Sequence, residues 1–483
     1  MSPQDRMDPD GIRDDGVPYQ TATASLPIYA EARRQLAAFE EPVLLHAGNS
    51  HERLFVAAFD GTGNDKVHDP EHETNVGQIS DQVALLNKAG NHRIGYGYVA
   101  GPGTQWYAPF DRLLDGMDGY TVDARAENMY KQFIDQANEW RQQDPHAQIR
   151  VAGVGFSRGA EEVALFTRIV EERGIQDPDG ALYTYDWHHQ ITHVDYTKPA
   201  LVAPHEVAQA VALFDPVGTG RALDEDRRLP PSVISGIQLI ALDEHRYVFK
   251  SDRVIDPGLT ADGRFAGVYV PGAHSDVGGG YHRDGLSARS DNLVIDYLNG
   301  LSDRPFLDKR AEPDDPRLNV IHNSRDGMLI YRLMPGIDRL SPDGYGTLEA
   351  SRRELGHVAD AYNAEPRNEA LNARFPRQAM PDGPLPDTAS RQRGAPTSEL
   401  DAWIERMHAA ALNPDDAAWD RAQHEAAQAY LHTPDGQRFQ QQANDLNRNW
   451  DLQQQAMLHA QQQELAAQQA MQQQASPAQG RGM

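Results

Sequence analysis

Ile149-Arg150-Val151-Ala152-Gly153-Val154-Gly155-Phe156-Ser157-Arg158-Gly159-Ala160 reads as an apolar strand, a tight turn and the start of a helix, with G-x-S-x-G at the turn. The apolar run Ile149–Val154 resumes after a helix, and helical spacing returns from Ala160 to Glu172. The chemistry accounts for the pattern. A nucleophilic serine has to stand on a sharp strand-to-helix turn, glycines two residues to either side relieve crowding there, and the N-terminus of the following helix favours developing negative charge. The bare string also arises by chance in a glycine-rich chain, so the flanking strand and helix carry the weight. The reading is Ser157 as nucleophile, with alanine at either glycine expected to disturb the turn.

Working outward, Ala124–Asp144 spaces Met129, Phe133 and Trp140 on one face of an amphipathic helix, and Leu54–Phe59 is an apolar strand that ends at Asp60-Gly61-Thr62-Gly63-Asn64. Downstream, Val211–Phe214, Ile237–Leu242 and Gly267–Val270 read as short buried strands. Alternating strands and helices predict an α/β fold of the α/β-hydrolase type, a mostly parallel sheet covered by helices on both faces. Residues 1–50 read as an N-terminal extension with a helical stretch at Ala30–Phe39, and 51–379 as the catalytic domain with inserted loops and a lid. The Pro-, Gly- and Ser-rich stretch 380–396 reads as a linker, and 397–483 as a helical, Gln-rich region containing Leu446, Trp450, Met457 and Leu465.

The whole-chain properties limit what the protein does. A net charge of −26 over 483 residues argues against nonspecific nucleic-acid binding and against attraction of the whole molecule to an anionic membrane, which leaves any lipid contact to a local apolar or basic patch. Cysteine is absent, so disulfides, thiolate nucleophiles and Cys-ligated metals are excluded. No apolar run approaches the ~20 residues of a membrane span, and the acidic start is unlike a secretory signal, so the expectation is synthesis in the cytoplasm without a signal peptide.

A serine hydroxyl needs a histidine to take its proton and a carboxylate to orient that histidine, and in this fold class both lie downstream, acid before histidine. The acid candidate is Asp215, in Phe214-Asp215-Pro216-Val217-Gly218 at a strand end, although an Asp before Pro is also a common turn former; Asp276 and Asp243 are in reserve. The histidine candidate is His274, in the Gly-rich run Pro271–Tyr281, with His322 as runner-up among 19 histidines. Oxyanion donors are expected from the N–H of Arg158 and from the Gly61-Thr62 segment. Asp60-Gly61-Thr62-Gly63 also resembles phosphate-cradling loops of sugar kinases and dehalogenase-type phosphatases, but phosphoryl transfer would leave the serine turn and the His274 loop without duties. No cofactor is required, though Asp- and Gly-rich loops could hold a hard cation such as calcium.

Phe59–Asn64, Gly155–Ala160 and Gly272–Tyr281 together resemble the first family of type VI secretion lipase effectors and related bacterial α/β-hydrolases. Ala241–Arg246 is similar to the family's segment between acid and histidine, Tyr96–Thr104 to its Gly-rich loop before the serine, and the likeness spans roughly Leu54 to Leu301. The resemblance implies a Ser-Asp-His phospholipase of A type that removes acyl chains from membrane glycerophospholipids. It maps onto Ser157, Asp215 and His274, and it implies injection into competing bacteria, with an immunity protein and a secretion-system component as partners. The chain departs from the pattern at Pro216, where threonine is expected, and at Glu161 and Glu162, where aromatic or small residues are usual. Gln-rich tails also occur on effectors of bacterium-killing type IV systems, so the secretion machine stays open. Two other functions remain compatible with these residues: an esterase or thioesterase acting on a soluble cytoplasmic substrate, and a catalytically silent hydrolase scaffold that binds a partner.

Overall fold

Strands buried on both faces lose the alternation of polar and apolar residues, which is why this chain's strands read as unbroken apolar runs. In the computed structural model the central sheet is built from β1 (Glu52–Phe59), β2 (Ile94–Val99), β3 (Gln148–Phe156), β4 (Gln209–Phe214), β5 (Val233–Ala241), β6 (Gly258–Leu259) and β7 (Phe265–Val270). Their order is β6-β7-β5-β4-β3-β1-β2, parallel throughout except for β6 against β7. The structure describes residues 7–67, 69–102, 122–186, 190–218, 226–327, 335–346 and 365–381. The chain divides into two compact units, Met1–Asp387 and Thr388–Met483, and every described residue belongs to the first. The expected linker, beyond Pro381, and the Gln-rich region lie outside the described residues, as does Thr104.

Helices cover the sheet on both sides: α1 (Pro27–Leu36), α2 (Asn75–Lys88), α3 (Val122–Gln143), α4 (Arg158–Arg173), α5 (His274–Gly278) and α6 (Gly285–Gly300). Leu54, Val56, Ala58, Val154 and Phe214 face one core with Leu36 of α1, Ile79 of α2 and Leu293 of α6. Their alternates Phe55, Ala57, Phe59 and Val151 face the other, with Met129, Phe133 and Trp140 of α3 and Phe166 of α4. The amphipathic face read for α3 is thus the buried one. Strand β2 was hidden in a stretch read as a Gly-rich loop: a Cβ at Gly97 would stand 2.6 Å from Met129 Sδ, so the glycine makes room for α3. Among the described residues no helix is long and apolar enough to cross a membrane.

Residues 7–50 are part of this unit rather than an appendage to it. Tyr29, Leu36, Phe39 and Leu44 are buried in the core, and the Tyr29 hydroxyl donates to Leu286 O at 2.9 Å in α6. Tyr19–Thr21 pairs with Val320–His322, and Glu40–Pro42 with Arg377–Ala379.

Topology decides where chemistry can occur. The chain runs from β1 outward to β2 and then returns to β3 on the other side of β1, so a crevice opens between the carboxyl ends of β1 and β3. Phe59 pairs with Gly155 and Phe156 with Phe214, which sets the loops after β1, β3 and β4 side by side at that edge.

Deleting residues 1–50 is expected to abolish cooperative folding of the catalytic unit. Fully burying one large apolar side chain is worth ~1.5–3 kcal/mol, so losing four is comparable to the ~5–15 kcal/mol by which a domain is stable. A truncated protein that melts cooperatively within a few degrees of the full chain would contradict this packing.

Candidate active site

Ser157 occupies the turn between β3 and α4 with φ 59° and ψ −127°, a strained backbone for a side chain larger than glycine. Its N–H donates to Phe214 O at 3.0 Å, which fixes the turn to the end of β4. The flanking glycines are required by space: a Cβ at Gly155 would lie 2.5 Å from Gly159 O, and one at Gly159 would lie 2.3 Å from Phe59 O.

His274 lies at the first position of α5, so the Gly-rich run is loop only at its two ends, before His274 and after Gly278. Its Nε2 stands 2.7 Å from Ser157 Oγ and its Nδ1 2.7 Å from Asp215 Oδ2. All three side chains are buried. The imidazole lies between aromatic rings, with centroids 4.6 Å from Phe156 and 5.2 Å from Phe249. Burial holds its pKa below the usual 6.5 against the opposing pull of Asp215, so it is neutral at neutral pH and able to accept a proton.

Sequence reasoning missed Arg339. Its guanidinium grips Asp215 with both amino groups, Nη1 to Oδ1 at 2.8 Å and Nη2 to Oδ2 at 3.1 Å, and both side chains are fully buried. The Ala241 N–H adds a third donor, to Oδ1 at 3.0 Å. Burial alone would raise the Asp215 pKa, but the Arg339 charge and the His274 hydrogen bond bring it down to about 2. The segment carrying Arg339 is tied to the turn after β5 through Ile337 N–H to His245 O at 3.1 Å. Arg339 carries no local motif; only the pairing across 124 residues identifies it.

The reserve candidates have other partners. Asp276 Oδ1 is 2.5 Å from His322 Nδ1, and His322 Nε2 is 3.1 Å from Asp15 Oδ2, so acid and histidine reserves bind each other and anchor the N-terminal segment. Despite burial, the two carboxylates push the His322 pKa up to about 9. Asp243 accepts the Gly272 N–H at 2.8 Å and shapes the loop before His274.

In the loop after β1, the Gly61 N–H expected as an oxyanion donor is already engaged within the protein. It donates to Asp60 Oδ1 at 2.8 Å, while the Thr62 N–H has no partner among the described residues. Asp60 is buried and also accepts from Thr74 Oγ1 and the Tyr98 hydroxyl, each at 2.8 Å; burial, against these bonds, raises its pKa to about 6. Arg158 opens α4 directly after the serine, and its Nε donates to Thr62 Oγ1 at 2.5 Å, clasping the loop after β1. Glu161 and Glu162, the acidic departures, are buried in α4; Glu161 Oε2 meets Arg227 Nη1 at 2.7 Å. Among the described residues no group of three or more His, Asp or Glu side chains is gathered so as to hold a metal ion.

A parallel sheet with a strained serine between strand and helix, hydrogen-bonded to a histidine at the carboxyl edge, defines a protein of the α/β-hydrolase class with a serine-hydrolase arrangement. Residues 53–300 match the family described as type VI secretion system phospholipase effector Tle1-like, catalytic domain, and the chain belongs to that family, a group of lipase- and esterase-type hydrolases. Solved structures similar to it include the Tle1 effector bound to the VgrG spike from the type VI secretion system, 21% identical over 47% of this chain and 51% of that one, with a TM-score of 0.29. The chain therefore spans about half the length of that effector. An uncharacterized protein from Pseudomonas aeruginosa is 17% identical over 84% of this chain and 66% of that one, TM-score 0.34, and Thermogutta terrifontis esterase 2 is 10% identical over 61% and 96%, TM-score 0.26. Among curated proteins, none matches.

Two outcomes follow from the electrostatics. Replacing Arg339 with Met leaves a buried carboxylate without its cation, so the Asp215–His274 pair should take up its proton at higher pH than in the parent, with Arg339→Lys intermediate. Imidazole titration by NMR reads this, and an unchanged titration in a folded variant would refute it. His322 has a folded pKa above its unfolded value, so its stabilisation is complete below about 6.5 and disappears as pH rises through about 9. Denaturant unfolding should show the parent losing on the order of 3 kcal/mol more than His322→Gln between pH 6 and pH 10; equal losses would contradict the tie.

Proposed function

We propose that this chain is a phospholipase of A type that hydrolyses acyl esters of membrane glycerophospholipids through Ser157, His274 and Asp215. The observation that supports this most directly is the pair of 2.7 Å hydrogen bonds linking Ser157, His274 and Asp215. As Ser157 Oγ attacks the ester carbonyl, His274 Nε2 takes its proton, and Asp215 stabilises the imidazolium through Nδ1. The tetrahedral oxyanion receives the N–H groups of Arg158 and Thr62. Collapse breaks the ester C–O bond, and His274 returns the proton to the departing lysophospholipid oxygen. Water, deprotonated by His274, then attacks the acyl-enzyme, releasing fatty acid and free serine.

The family match supports delivery by a type VI apparatus from the cytoplasm into target bacteria. The Tle1 effector's structure on a VgrG spike supports a spike component of that kind as partner. An immunity protein in the producing cell and a delivery or docking role for residues after about 396 complete the reading.

Product analysis by mass spectrometry on phospholipid vesicles tests it. The parent should release free fatty acid and lysophospholipid, and Ser157→Ala should lower the rate on the order of 10⁴-fold or more. His274→Ala should fall as far, the double mutant hardly further, and Asp215→Asn somewhat less. The parent's rate should decline only below pH 6.5, because the His274 pKa is held under that value. Turnover of short soluble esters with none on vesicles would replace this reading with a soluble-substrate esterase.

A further inference from the structure

A molecule of net charge −26 is repelled by an anionic bilayer, yet the phospholipase reading above needs Ser157 brought to one. The structure has a local feature suited to this beside the serine. Residues 246–249 form a turn closed by Phe249 N–H to Arg246 O at 2.9 Å. At its base the Phe249 ring meets His274 edge-on, and at its tip Tyr247 and Val248 are 46% and 40% exposed. The segment 335–346 runs alongside, bridged to the turn at Arg246 and Gly336. There Arg339 reaches inward to Asp215, while the next residue, Leu340, is 62% exposed.

Cations accompany these apolar side chains. Lys250 Nζ lies 5.4 Å from the Tyr247 ring centre, and the Arg253 guanidinium 3.2 Å from that of Tyr345. Among the described residues neither cation has a carboxylate partner, whereas Arg246 is paired with Glu244. The carboxylate of Asp338 is turned onto the Leu340 N–H at 2.9 Å. Single exposed apolar residues are ordinary on protein surfaces. Here three of them sit on the two segments that send Phe249 to His274 and Arg339 to Asp215, together with two cations that each lie over a tyrosine ring, a side chain suited to the boundary between headgroups and acyl chains.

We infer that the 246–250 turn and Leu340 form a bilayer-docking surface that favours anionic phospholipids. Tyr247, Val248 and Leu340 seat in the interface, Lys250 and Arg253 meet lipid phosphates, and the carboxyl edge of the sheet is thereby turned toward the membrane. The inference rests on the phospholipase reading for its substrate, but binding is measured separately from turnover.

The test uses the full chain carrying Ser157→Ala, so that vesicles persist, and co-sedimentation with vesicles of phosphatidylethanolamine and phosphatidylglycerol or of phosphatidylcholine alone. The expected result is tighter binding to the phosphatidylglycerol vesicles. With Lys250→Gln and Arg253→Gln added, affinity should drop on the order of tenfold and lose its salt dependence. Tyr247→Ser, Val248→Ser and Leu340→Ser together should remove binding to both vesicle types, and Val248→Asp alone should weaken it if the triple variant does not fold. Variants that bind like the parent, or a parent that binds phosphatidylcholine equally well, would overturn the docking surface. A Ser157-intact parent that binds vesicles but hydrolyses no ester would instead overturn the phospholipase reading and leave the surface standing.

Discussion

Asp215 is a carboxylate with no access to water, and the site depends on keeping it ionised and aimed. Left alone in such surroundings it would take up a proton and cease to orient His274. Arg339, the Ala241 N–H and His274 prevent this together, drawing on the segment after residue 335, the end of β5 and the start of α5. One side chain therefore joins three parts of the chain that share no local sequence. The geometry at Ser157 follows from that junction, because His274 stands between Asp215 and Ser157, with hydrogen bonds to both.

The sheet supplies the frame for this junction. The reversal between β1, β2 and β3 opens the crevice, and pairing of Phe59 with Gly155 and Phe156 with Phe214 sets three loops at one level. Asp60 performs on the loop after β1 a task like that of Arg339 on Asp215: it satisfies buried donors so that a backbone segment holds its shape. One of those donors is the Gly61 N–H, at the start of the loop after β1. The buried pairing of Asp15, His322 and Asp276 ties the N-terminal segment to the helix that carries His274.

Much of this was legible in the sequence, for a physical reason. Strands β1, β3, β4, β5 and β7 are buried on both faces and so appear as apolar runs, and the strand-turn-helix around Ser157 has few chemical solutions. Chain order and a place at strand ends single out Asp215 and His274, and the structure brings both side chains together with Ser157. What escaped has equally definite causes. In β2 the glycines that make room for α3 look like loop. In α6 every residue is buried, including Arg289, Asp291 and Asn292, so no polar face marks the helix. The first fifty residues lack a long apolar run, yet Tyr29, Leu36 and Phe39 are inserted one by one into the core. Arg339 and the bond between Asp60 and Gly61 depend on contacts made only once the chain has folded.

We propose that Ser157 is a nucleophile activated by His274. Treating the folded full-length protein with a fluorophosphonate and mapping the adduct by peptide mass spectrometry tests it most directly, because the reagent needs no knowledge of the substrate. The expected product carries one phosphonyl group on the peptide containing Ser157, formed more slowly as pH falls below 6.5 and essentially not at all in His274→Ala. A folded protein that stays unlabelled at Ser157, or one labelled equally fast without His274, would contradict it.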